Sequence, residues 1–218
     1  MQLFEPDPAI RLALAYARAS DRPVFEDLFA LDRRLADAVR QASEPIIAQL
    51  KLAWWRDRFA QSPTEWPKGE PLLERLAQWH DARDADVSRF GALVDGWEAL
   101  LADRPFASET IAAFAQGRAE AWSAVALALD EAPHLAMRPA LLSAHADLAQ
   151  FGSSAEEALG IRNAAQDALR SSANWMPRAL RPFAVLGVLG ERSLRSEGAQ
   201  LSTVGDFFAG VRAGMLGR

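Results

Sequence analysis

The chain has 218 residues, half of them hydrophobic, with no cysteine and a formal net charge of -5. Disulfides and thiolate chemistry are excluded together, and an acidic balance without an Arg/Lys stripe interleaved with aromatics argues against nucleic acid as the main partner. No apolar run approaches the roughly 18 residues that a membrane span requires.

Apolar residues recur at helical spacing nearly throughout, and no segment shows the alternation of a half-buried strand, so the expected class is all-α, with one helical domain over residues 1–218. Residues 1–8 carry neither a basic region nor an apolar core, so no secretion signal is expected; the chain fits a cytoplasmic setting, with peripheral membrane contact left open. Asp7-Pro8 opens a first helix to about Ala19, and Asp21 caps the next. Ser43-Glu44-Pro45 then starts a helix that runs through Trp54-Trp55-Arg56-Asp57-Arg58 to Phe59. Ile46, Leu50 and Trp54 share a stripe that Ile47 and Trp55 widen, so this helix is expected to be packed on most of its circumference.

Residues 62–70, with Pro63, Pro67 and Gly69, read as a loop. Helices follow at about 71–82, 84–102, 108–130, 135–150, 154–171, 175–192 and 202–216, with Ser108, Ser154 and Ser202 as caps and Pro133 and Pro139 bracketing a break. His80 with Asp84, and Asp81 with Asp84, could share a helix face as metal-binding groups, but a charge-rich solvated helix end is the simpler reading. His134 and His145 have no partners at ligand spacing and read as structural.

The tryptophan helix resembles the one that follows the first aspartate-rich helix of the squalene/phytoene synthase family, where a Ser-Glu-Pro start leads to Trp-Trp-Arg-Asp. Segments 25–35, 90–101 and 111–121 are similar to the family's neighbouring helices, and the likeness covers about residues 8–150. A late Pro/Arg-Leu-x-Pro entry is echoed at Pro177-Arg178-Ala179-Leu180-Arg181-Pro182. The resemblance implies a helical bundle of the isoprenoid synthase type. It also implies condensation of isoprenyl diphosphates, for which magnesium neutralises the departing pyrophosphate.

That chemistry calls for Asp-x-x-x-Asp pairs on two facing helices, because positions four apart differ by only about 40° around a helix. By the apolar pattern the first pair should fall near Ala36 and Arg40, where the chain reads Ala36-Asp37-Ala38-Val39-Arg40. Asp32 and Asp37 are about 140° apart and cannot share one ion. Residues 147–167 hold no second pair and no Gly-Arg-x-Tyr-x-Pro tail, and the adjacent Glu156 and Glu157 suit a helix N-terminus. The resemblance therefore implies the fold more strongly than the activity: no catalytic residue, no metal ligand and no cofactor is assigned.

Trp54, Trp55 and Trp122, with Asp37 and Arg40, are the candidates for a ligand cavity; aromatic walls suit an isoprenoid and equally suit ordinary core. Arg178 and Arg181, grouped with Arg192 and Arg195, are candidates for a diphosphate, or else helix-end cations paired with Glu191 and Glu197. The leading expectation is a relative without magnesium-dependent catalysis that binds an apolar isoprenoid or lipid ligand, or a protein partner. A branch of the family related to a respiratory complex I assembly factor departs from the aspartate motifs in the same way. The alternative is a prenyltransferase using magnesium through Asp37, Asp81, Asp84 or Glu120.

Overall fold

The computed structural model describes residues 7–83, 85–172 and 174–218. Among them the α-helices are α1 (Pro8–Leu14), α2 (Arg22–Arg40), α3 (Pro45–Phe59), α4 (Pro71–Arg83), α5 (Phe90–Ala99), α6 (Ser108–Ala128), α7 (His134–Gln150), α8 (Ala155–Ala164), α9 (Gln166–Arg170), α10 (Arg181–Ser196) and α11 (Val204–Leu216). No strand occurs among the described residues, as the period of the apolar pattern requires.

The helices pack in the spatial order α3, α5, α6, α7, α10, α11, with α2 lying against α1, α3, α4, α5 and α6. Close approaches are set by small residues. A Cβ on Gly117 of α6 would overlap the backbone of Ala92 of α5, and one on Gly187 of α10 would lie 2.8 Å from the Cα of Pro139 of α7. One continuous buried cluster runs from Ala9 to Ala213. At its centre Trp122 stacks on Phe183, with ring centroids 4.2 Å apart, and Phe25 meets Phe183 edge to face at 5.1 Å.

Several boundaries depart from the sequence pattern. The first helix stops at Leu14 because the next amides fold back three residues rather than four, Tyr16 to Ala13 and Ala17 to Leu14. The expected helix 84–102 starts at Phe90 after a 3₁₀ turn at Val87–Arg89, and the one at 154–171 breaks at Ala165. The helix expected at 175–192 runs from Arg181 to Ser196, with Pro182 in its first turn, where a missing N–H costs nothing. Pro139 lies inside α7 rather than at its start. Ser154 caps α8 as expected, whereas Ala107 precedes α6 and Thr203, in a capping box with Asp206, replaces Ser202.

The largest departure concerns α3. Ala48, Leu52, Trp55 and Phe59 are buried, but Ile46, Leu50 and Trp54 are 53%, 66% and 38% exposed. This helix carries two apolar stripes, and only one of them meets the core.

Candidate functional site

Asp32 on α2 and Asp147 on α7 point into the same space between the helices. Between them lies Arg118 of α6, 4% exposed. Its Nη2 donates to Asp32 at 2.9 Å, and its Nη1 donates to Asp147. Each carboxylate has a further donor: the indole N–H of Trp97 reaches Asp32 at 2.7 Å, and the side-chain amide of Gln200, in the α10–α11 connection, reaches Asp147 at 2.7 Å. The chain Trp97, Asp32, Arg118, Asp147, Gln200 thus ties together α5, α2, α6, α7 and the C-terminal segment.

The electrostatics follow from burial and this pairing. Burial works against the Arg118 charge, but Asp32 and Asp147 together outweigh it and raise the guanidinium pKa. Burial raises the Asp147 pKa, and the attraction and hydrogen bond of Arg118 offset it only in part. His145, two residues before Asp147 on α7, has its pKa lowered by burial, and its ring Nδ1 lies 2.7 Å from the Leu141 carbonyl oxygen.

A cavity of about 260 Å³ is lined by the bridge itself and by Phe29, Trp122, Ser143 and Leu186, with Asp7, Gln150 and Gln200 adding polar groups. Magnesium held between α2 and α7 would need a second carboxylate one turn from each aspartate. The positions four residues away hold Leu28 and Ala36 around Asp32, and Ser143 and Phe151 around Asp147. No group of three or more His, Cys, Asp or Glu side chains that could hold a metal occurs among the described residues. With both aspartates already bonded to an internal cation, this donor set does not fit a pair of magnesium ions.

The sequence candidates fall in four places. Trp122 lines the cavity. Arg40, on the same α2 stripe as Asp32 and Ala36, places its guanidinium 4.0 Å from the Phe151 ring centroid and 5.7 Å from that of Trp97. Asp37, Trp54 and Trp55 lie instead on a separate groove between α2 and α3. Arg178 and Arg181 line a hollow beside Tyr16 and Met215, where Arg181 donates to the Gly214 carbonyl oxygen.

Among the described residues the alternative metal ligands form no cluster that could hold a metal ion. Asp37 accepts from Arg33, and Glu120 accepts from Gln116 and pairs with Arg89. Asp81 is exposed near the end of α4, and Asp84 lies outside the described residues. Arg118, Trp97 and Gln200 were not anticipated as site residues. One signal was present: Arg118 is the only cation in the Gly/Ala-rich stretch Ala112 to Ala126, where a buried charge must find a partner.

No curated protein and no solved structure matches the chain. The squalene/phytoene synthase family model matches residues 6–168, which takes in α1 through α8 and both bridged aspartates. With most of its length under that match, the chain belongs to the squalene/phytoene synthase family.

Proposed function

We propose that this family member acts by binding, and that a protein partner docks on the α2–α3 face, in the manner of an assembly factor rather than a prenyltransferase. The observation that carries the reading is the Arg118 bridge. One guanidinium engages Asp32 and Asp147, two of the three aspartates that line the central cavity, leaving neither of them free for a divalent cation. The dense aromatic packing around Trp122 and Phe183 leaves a small, half-polar cavity, which favours an external surface over an internal isoprenoid tunnel.

The external surface is the unpartnered stripe of α3. Leu50, Trp54 and Trp55 flank a groove of about 470 Å³ whose rim carries Arg34, Asp37 and Lys51. An apolar centre with charges of both signs around it suits a protein helix laid along the groove. Binding there involves no cofactor.

The test is turnover. Purified protein with farnesyl diphosphate and magnesium should release no pyrophosphate above the buffer rate. Release that disappears in Asp32→Asn or Asp147→Asn would overturn the reading. Affinity capture with wild type and Leu50→Asp in parallel then asks whether one specific protein is retained by the first and lost from the second.

A further inference from the structure

Helix α11 turns its small residues inward and its large ones outward. Gly210, Ala213 and Gly214 are buried, and a Cβ on Gly210 would lie 2.8 Å from Leu12, so this side is closed against α1 and α10. Val204, Phe208 and Met215, which fall within about 40° of arc at 100° per residue, are 73%, 64% and 66% exposed. Phe207 and Leu216 flank them, also exposed. Exposed Trp175 joins the same end of the molecule, because the Met176 amide donates to the Gly217 carbonyl oxygen at 3.0 Å.

The exposed charged side chains of the two segments that carry this stripe have one sign. Segments 174–181 and 204–218 contain Arg178, Arg181, Arg212 and Arg218 and a single acid, Asp206, which is buried against Arg192, in a chain whose net charge is -5. Arg178 and Arg181 line a hollow of about 440 Å³ beside Tyr16 and Met215, and the buried Nε of Arg181 has no hydrogen-bond partner.

We propose that this C-terminal face docks on a bilayer surface carrying anionic headgroups. The α11 stripe and Trp175 enter the interfacial layer, and Arg178 and Arg181 take headgroup phosphate. An isologous contact with a second copy would set arginine against arginine, so charge disfavours that occupant. Among the described residues no helix is long and apolar enough to cross a membrane, so the proposed contact is a superficial one. The mixed-charge α3 groove lacks this one-sided complementarity, and the inference stands apart from the Arg118 bridge.

The full chain is sedimented with vesicles of phosphatidylcholine alone and of phosphatidylcholine mixed with phosphatidylserine. Binding is expected only to the mixed vesicles, weakened by salt and weakened about tenfold in the Phe208→Ser/Met215→Ser and Arg178→Gln/Arg212→Gln variants. These positions are exposed, and circular dichroism checks that each variant keeps its helices. Absence of binding to the mixed vesicles by the folded wild type, or equal binding by the variants, would overturn the proposal. So would a dimer that Phe208→Ser dissolves, or protection of Arg178 by inorganic phosphate without vesicle binding.

Discussion

The indole N–H of Trp97 and the Asp32 carboxylate are 2.7 Å apart, and that bond turns the other Asp32 oxygen toward Arg118. Trp97→Phe keeps an aromatic ring beside Phe114, whose centroid is 4.9 Å away, and removes the donor together with part of the ring volume. A loss of about 1–3 kcal/mol is expected, since a part-buried carboxylate oxygen is left short of a partner. Urea denaturation of the two proteins measures it.

Arg118→Met leaves Asp32 and Asp147 facing each other without a bonded cation, and a cost of about 2–3 kcal/mol is expected near neutral pH, below that of stranding fully buried charges because both carboxylates keep some solvent. Arg118 is the main influence holding the raised Asp147 pKa down, so its removal lifts that pKa further. A carboxyl group whose folded pKa is raised above 3.8 adds stability that is fully present below that value and is lost as pH rises through the folded pKa. The deficit of Arg118→Met should therefore shrink as pH is lowered. A deficit that stayed constant from mildly acidic to neutral pH would contradict the bridge.

Gly187 lies against the ring of Pro139, which has no flexible end to move aside. Gly187→Ala should cost about 1–3 kcal/mol through overpacking. Gly160, in the middle of α8 with open space where a Cβ would go, supplies the contrast: Gly160→Ala should be neutral or stabilising by up to about 1 kcal/mol. Thermal melts of the two variants should move in opposite directions.

Glu157 in the first turn of α8 accepts from the Ser153 amide at 2.6 Å, the Phe106 amide at 3.0 Å and Arg104 at 2.8 Å, and so fastens the loop before α6. Burial disfavours its charge, but these donors outweigh that and hold its pKa below 4.5. Its contribution is present above 4.5 and is lost as pH falls through the depressed folded value. Glu157→Gln should be destabilised by about 1–3 kcal/mol at neutral pH, with the gap to wild type closing in acid. Amide exchange at Phe106 reports the same opening locally.

How much of this was legible in the sequence depended on whether the signal was local. The Ser154 cap and the spans of α4, α6 and α7 follow from nearby residues, and the structure reproduces them to within a few positions. Helix α3 defeats the same logic because Ala48, Leu52, Trp55 and Phe59 form one apolar stripe while Ile46, Leu50 and Trp54 form another on the opposite side. Periodicity shows that both exist and not which one faces inward. Asp32 and Asp147 could each be weighed for the missing carboxylate partner, but the counter-charge comes from a third helix. Nothing within one turn of either aspartate names Arg118.

Phe183, which supports Trp122 from below, and Gln200, which completes the coordination of Asp147, both come from beyond residue 168, where the family match ends. The part of the chain that declares its ancestry therefore does not enclose its own interior; a less recognisable tail supplies the lid and one floor tile. Substitutions in that tail can reshape the chamber while leaving every family hallmark unchanged.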